Sequence, residues 1–263
     1  MTQDLPHTTA TLATDLRNLG LTGGDVVLVH SAVAAIGFVA GHVQAVAEAL
    51  LTVLGPHGTL IVPTHTPNNT DPATWERPPV PETWWPVIRE QSPGFDPQRT
   101  PSRWMGALSE TIRTWPGTLR STHPETSFAA IGPLAATITA DHPLHDGLGD
   151  RSPLGALYRA DGKVLLLGCD HANNTSLHLA ECRQPDPPAE PHGAAVRNPD
   201  GTSTWHTWTS PVADETDFDD IGRAYEKTGP VTTGRVGNAT TRLMPQRALV
   251  DFATTWITQN RTT

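Results

Sequence analysis

The chain has 263 residues, of which 37% are apolar and 17% charged, with 25 prolines, 22 glycines and a formal charge of −9. That length suits one large domain or two small ones, and the apolar content with so little charge excludes a disordered chain. The negative balance argues against nucleic acid and anionic membrane as partners and is compatible with a cationic ligand. Along the chain, Leu12, Leu16 and Leu19 followed by Gly20 predict a short helix with a C-terminal stop. "DVVLVHS" (25–31) predicts a buried strand, and Val43, Val46, Ala47, Leu50, Leu51 and Leu54 follow helical spacing up to Gly55-Pro56. "GTLIVP" (58–63) is a second strand, so strand, helix and strand make a parallel crossover.

Residues 64–101 are crowded with Pro and Trp and predict little regular structure; a loop this long is functional or disordered, and its tryptophans favour packing. A helix is expected over 102–115, a strand over 127–132 and a short helix over 133–139. "SPLGALYRADGKVLLLG" predicts a helix, a turn and a strand, and the "NNTSLHLAE" segment (173–181) that follows predicts another helix. "VRNPDGTSTWHTW" alternates around Asp200-Gly201, a hairpin signal. A helix at "DDIGRAYEKTG", a strand at "TTRLMP" and an amphipathic helix over 246–257 complete the pattern. The expected architecture is a single α/β domain over 1–263 with a mixed central sheet flanked by helices.

Several chemistries are absent from the sequence. There is no Gly-x-Gly-x-x-Gly, no phosphate-binding P-loop and no His-Glu-x-x-His. Cys169 and Cys182 form no disulfide framework, no run reaches membrane-spanning length, and the N-terminal stretch has no secretory pattern, so the expected location is the cytoplasm. "HPLHDG" offers His142, His145 and Asp146 without a second cluster, which favours a polar loop with solvent-facing histidines; no metal is expected. Two signals stand out. His178 falls one turn into a helix that follows a strand, the junction at which open α/β sheets bind ligands, although a lone helical histidine is more often structural. Glu181 at i+3 is a possible local partner and Cys182 lies at i+4. The second signal is "DETDFDD" (214–220), with five acidic residues in seven. Asp219 and Asp220 suit a helix start, whereas Asp214, Glu215 and Asp217 precede it and would suit a ligand with several ammonium groups.

Six stretches, "VLVHSAVAAIG" (27–37), "GPHGTLIVPT" (55–64), "RSTHPETSFAAIGPLA" (120–135), "RSPLGALYRADGKVLLLG" (151–168), "NNTSLHLAE" and "GRVGNATTRL" (234–243), span nearly the whole chain. Together, in this order, they resemble the aminoglycoside 3-N-acetyltransferases, which use acetyl-CoA. The resemblance implies the family's own α/β fold, the antibiotic N-acetyltransferase type, and not the common acetyltransferase fold with its glycine loop. It implies that His178 is the catalytic base with Glu215 as its carboxylate partner, and that Asp217 faces substrate. Asn69, Asp71 and Glu82, in the Pro/Trp-rich loop at 64–101, would lie near the aminoglycoside pocket. Ser31, Ala32, Val33, Arg120, Ser121, His123 and Thr175 would bind the cosubstrate acetyl-CoA; Ala32 stands where the family has a second serine, which removes one hydroxyl contact. Arg99, Arg103, Arg113 and Arg120 fall in one segment and could add a positive patch for its phosphates, although for Arg99 and Arg103 scattered surface positions are the favoured reading. The implied activity is direct acetyl transfer to the 3-amino group of a 2-deoxystreptamine aminoglycoside, by a monomer or homodimer. Two other readings stay open: an acetyl-CoA-dependent enzyme of the same fold acting on a different amine, and a CoA- or metal-binding module without catalysis.

Overall fold

The apolar runs near the start of the chain become strands covered on both faces. The computed structural model describes residues 5–76 and 78–261. The expectation about an N-terminal leader concerns in part residues 1–4, outside the described residues. Helix α1 (Thr9–Asn18) precedes β1 (Val26–Ser31), α2 (His42–Leu54) and β2 (Thr59–Pro63). β1 and β2 pair in parallel with Val26 opposite Thr59, so α2 is the expected crossover. Next come α3 (Trp85–Gln91), α4 (Gly106–Arg113), the short strand β3 (Leu119–Arg120), β4 (Phe128–Ile131), α5 (Ala135–Thr139) and α6 (Pro153–Arg159). β5 (Lys163–Leu167) then runs parallel to β1 on its other side. After it come α7 (Ser176–Cys182), the hairpin β6 (Ala189–Arg197) and β7 (Ser203–Pro211), α8 (Phe218–Glu226), β8 (Thr232–Val236), β9 (Ala239–Pro245) and α9 (Gln246–Asn260).

The main sheet has the order β3-β4-β2-β1-β5-β9-β8, and β6 with β7 forms a separate two-stranded sheet. β2, β1 and β5 are parallel; the strands outside them pair antiparallel, which gives the mixed sheet. Successive residues of a strand point to opposite faces. Val27, Val29, Leu60 and Val62 accordingly enter one core with α1, α2 and α4. Leu28, Ile61 and Leu166 enter the other, with α6, α7 and α9. Coverage of both faces explains why these strands read as continuous apolar runs. Each fully buried Val, Leu or Ile stabilises the fold by about 1.5–3 kcal/mol.

Two expectations change. The helix expected from residue 102 begins only at Gly106, because Trp104 has a φ of 64°, which a right-handed helix does not admit. Residues 64–101 hold more order than their composition suggests: 3-10 turns at Pro67–Asn69, Pro72–Thr74 and Glu82–Trp84, then α3.

Candidate active site

β1 has β2 on one side and β5 on the other, so the connections leaving their C-terminal ends diverge and open a crevice. A cavity of about 320 Å³ lies there, lined by Ser31 from the end of β1, Pro63 from the end of β2 and Cys169 just beyond β5. His30, Ala32, Thr175, His178, Glu215 and the Trp104-Met105-Gly106 turn also line it.

Helical spacing places His178. Leu177, Leu179 and Ala180 of α7 are buried in the core, which leaves the third residue of the helix at the cavity. Its ring packs obliquely on Phe218, centroids 4.7 Å apart. Nδ1 lies 2.6 Å from Glu181 Oε2. A carboxylate can only accept, so Nδ1 carries the proton and donates, and in the neutral ring Nε2 keeps its lone pair. Glu181 is itself buried. Its Oε1 accepts from Arg261 Nη1 at 2.5 Å and from the Asp214 backbone N–H at 3.3 Å. Arg261 also holds both Asp217 oxygens, at 2.8 and 2.6 Å, and donates to Asp214 O at 2.8 Å. The result is a continuous chain, His178–Glu181–Arg261–Asp217. It is suited to taking a proton at Nε2 and stabilising the imidazolium that forms.

A second cavity, of about 670 Å³, shares Trp104 and Glu215 with the first. Its other walls include Thr70, Trp75, Glu76, Arg103 and Glu125. Glu125 accepts from His192 Nδ1 at 3.0 Å, and this bond holds the His192 imidazole above its usual pKa against the opposing effect of burial. The two cavities therefore meet at one carboxylate and one indole, with His178 on the smaller side and three glutamates on the larger.

Behind the crevice lies a group of buried neutral histidines. Burial, with His178 nearby, pushes His30 down to about 3; its Nε2 is 3.3 Å from Thr175 Oγ1. His65 is pushed well below its usual value, first by burial. Burial takes His123 down to about 4 and His142 to about 3. His142 Nε2 donates to Gly147 O at 2.7 Å, and Nδ1 accepts from Ser121 Oγ at 2.9 Å. So of the pair expected to face solvent, His145 does and His142 does not. Among the described residues there is no group of His, Cys, Asp and Glu arranged to hold a metal ion.

The structure separates the sequence-derived residues. Ser31, Ala32 and Thr175 line the smaller cavity; Val33 packs against the core beside it. Arg120, Ser121 and His123 are not part of its lining. Arg120 donates to Thr64 O at 2.6 Å, to Pro97 O at 3.3 Å and to Thr100 O, and lies 4.8 Å from the Phe95 ring; burial pushes it down to about 9. Ser121 bridges Phe128 N and His142, and His123 is tied to Leu144 O and the Glu125–Thr126 turn. Of the other arginines of this segment, Arg99 faces Asp96 at 3.6 Å and Arg113 pairs with Glu110 at 2.5 Å.

Glu181, and not Glu215, is bonded to His178; Glu215 stands on the shared wall. Asp217 is turned away from both cavities and clamped by Arg261. Asn69 donates to Pro124 O and Ala195 O, at 3.1 and 3.3 Å. Asp71 caps the 72–74 turn and pairs with Arg89 at 2.7 Å. Glu82 is exposed and outside the lining of either cavity. These three hold the 64–101 segment or its surface, while its Thr70, Trp75 and Glu76 line the larger cavity. Burial raises both thiols, Cys169 and Cys182, to about 12. Sequence reasoning missed Arg261, which lies 80 positions from Glu181 and gives no local signal. It also missed Glu125 and Trp104; Glu181 was visible only as an i+3 neighbour.

Comparison with known proteins agrees with this architecture. The family model described as aminoglycoside 3-N-acetyltransferase matches residues 28–258. Aminoglycoside N(3)-acetyltransferase IX of Micromonospora chalcea is 35% identical over 96% of this chain and 94% of its own. The crystal structure of YokD protein from Bacillus subtilis superposes with a TM-score of 0.96 at 39% identity, covering 98% of this chain and 96% of that one. The structure described as AAC-IIIb binary with CoASH gives a TM-score of 0.87 at 33% identity, covering 98% and 99%.

Proposed function

Because the chain belongs to the aminoglycoside 3-N-acetyltransferase family, we propose that it moves an acetyl group from acetyl-CoA directly to the 3-amino group of a 2-deoxystreptamine aminoglycoside, with His178 as general base. The observation that carries this reading is the hydrogen bond of His178 Nδ1 to the buried Glu181 carboxylate, which leaves Nε2 as the basic nitrogen at a cavity adjoining an acidic one.

The smaller cavity is the donor site. Its lining contains no Lys or Arg among the described residues and offers small groups and hydroxyls, from Ser31, Ala32, Gly106 and Thr175. That suits an uncharged pantetheine arm and its thioester, with the nucleotide phosphates outside. The larger cavity is the acceptor site. Glu76, Glu125 and Glu215 outnumber Arg103 there, and each ammonium facing a carboxylate gains ~1 kcal/mol in water and several-fold more where solvent is partly excluded. Glu215, common to both sites, holds the reacting end of the acceptor against the thioester.

Amide formation needs a neutral attacking nitrogen. His178 Nε2 takes the proton from that nitrogen as it bonds to the thioester carbonyl carbon, a contribution of ~10²–10⁴-fold. Glu181 stabilises the resulting imidazolium through Nδ1–H, and Arg261 keeps the carboxylate oriented. The C–S bond then breaks, the thiolate leaves, and the proton held at Nε2 returns to sulfur. The cysteines stay out of the reaction, because thiols with pKa of about 12 supply almost no thiolate near neutrality.

Thiol release from acetyl-CoA, followed with a panel of aminoglycosides and simpler amines, tests the proposal. Turnover confined to aminoglycosides with a free 3-amino group supports it. Turnover only with other amines replaces the acceptor, and no acceptor-dependent thiol release with any amine overturns it.

A further inference from the structure

Trp104 is placed as no structural tryptophan needs to be. It is 68% exposed, yet its backbone is held in a left-handed conformation, φ 64°, which is a genuine outlier for a bulky residue. Such a conformation persists only where the surroundings enforce it. Here the turn is pinned on both sides. Ser102 N and Oγ donate to Glu110 Oε2 at 3.0 and 2.7 Å, and Arg103 N donates to His65 O at 3.0 Å. On the other side, Gly106 has φ 86°, and an added Cβ there would stand 3.4 Å from Ser31 O. The turn so held carries the indole out of the core and onto the wall that the two cavities share. Arg103, whose guanidinium lies 5.2 Å from the indole, faces the larger cavity only.

We propose that Trp104 is a specificity-determining contact common to both substrates, through which occupation of the donor site strengthens binding of the acceptor. The inference rests on the donor and acceptor assignment given above. An indole face suits the C–H face of a sugar or cyclitol ring and the cationic amines it bears. The same residue also lines the cavity assigned to the thioester. With the donor site filled, the ring has a surface to rest on and is set as one wall of the acceptor site. Coupling of this kind is reciprocal: each ligand tightens the other by the same factor.

Calorimetry measures it without turnover. The dissociation constant of a 2-deoxystreptamine aminoglycoside is determined for the wild-type protein with and without saturating CoA, then for Trp104→Ala and Trp104→Phe. CoA should tighten the aminoglycoside by about fivefold in the wild type, the low end for coupled sites. The coupling factor should fall to about one in Trp104→Ala and be largely kept in Trp104→Phe, which retains an aromatic face. Thermal unfolding checks that each variant is folded, and the exposure of Trp104 predicts little change. Equal coupling in wild type and Trp104→Ala, or no coupling in the wild type, overturns the inference and leaves the acetyl-transfer reading standing. A wild-type protein that binds CoA but no aminoglycoside overturns the acceptor assignment, and this inference with it.

Discussion

Replacing each of two glutamates by glutamine separates the carboxylate bonded to the proposed base from the one at the junction of the two cavities. Glu181 makes a 2.6 Å bond to His178 and its side chain is only 5% exposed. A hydrogen bond to a charged group contributes about 1.5–3 kcal/mol. Two unit charges ~4 Å apart interact by ~4 kcal/mol at an effective dielectric constant of ~20. A glutamine keeps an oxygen that can accept from Nδ1 but carries no charge, so the imidazolium should lose about 3 kcal/mol of stabilisation. That is ~10²-fold in kcat, with the KM of the acceptor little changed. Glu215 has no bond to the ring and stands exposed where the cavities meet. Glu215→Gln should therefore raise the acceptor KM several-fold and lower kcat by less than tenfold, the effect of about 1 kcal/mol. Steady-state thiol release at saturating acetyl-CoA gives both parameters, and near-ultraviolet circular dichroism checks the packing of Glu181→Gln. If Glu215→Gln costs more kcat than Glu181→Gln, the resting pair is not the working one and Glu215 supports the imidazolium.

His178→Ala should lose nearly all turnover while CoA binding by calorimetry persists; turnover near wild type would remove His178 from the reaction. Asp217→Asn should leave the acceptor KM within about twofold and lower kcat instead, because Asp217 bonds Arg261 and not the cavities; a selective rise in acceptor KM would return it to the acceptor site. Intact-mass measurement after incubation with acetyl-CoA alone should show no acetylated cysteine, and an adduct at Cys169 would replace direct transfer by a two-step route. Stability should fall steeply in mild acid. Burial lowers His30, His65, His123 and His142 in the native state, so the unfolded chain binds more protons below its ordinary histidine value near 6.5. Their neutral form is accommodated in full above that pH, and stability is lost as pH falls from there toward the native values. Four such groups give a slope of up to ~5 kcal/mol per pH unit, opposed by His192, whose raised value contributes stability below 6.5 that is lost as pH rises through its native pKa. A urea midpoint unchanged between pH 7 and pH 5 would contradict this.

The elements legible in the sequence were those whose burial leaves a periodic trace. β1, β2 and β5 are apolar throughout because helices cover both faces, and α2 and α9 carry one apolar stripe each. β8 was not legible: "TTGRV" lies at the sheet edge with mostly partly or fully exposed residues, so it has no alternation to detect. β3 is two residues long and is recruited by β4. At the site, the pattern marked His178 only as a polar residue in an apolar helix that begins near the end of a strand, and its expected role as a base came from the family resemblance alone. The Arg120 turn shows the limit of a motif: an arginine looks the same in sequence whether it meets phosphate or, as here, carbonyl oxygens of the 97–100 loop.

The acidic run shows how a short stretch of sequence is divided by the fold. Taken as composition, 214–217 suggested one polycation-binding surface. The chain turns within it, so Glu215 reaches the junction of the cavities while the Asp214 backbone and the Asp217 carboxylate face α7 and the end of α9. That turn brings Asp217 to the same guanidinium as the buried Glu181, and two carboxylates side by side repel one another. Arg261 offsets that repulsion by donating to both and to Asp214 O. The proposed base and the carboxylate it bonds are adjacent in one helix, but the cation that holds that carboxylate comes from beyond the far end of α9, a dependence visible only once the chain is folded.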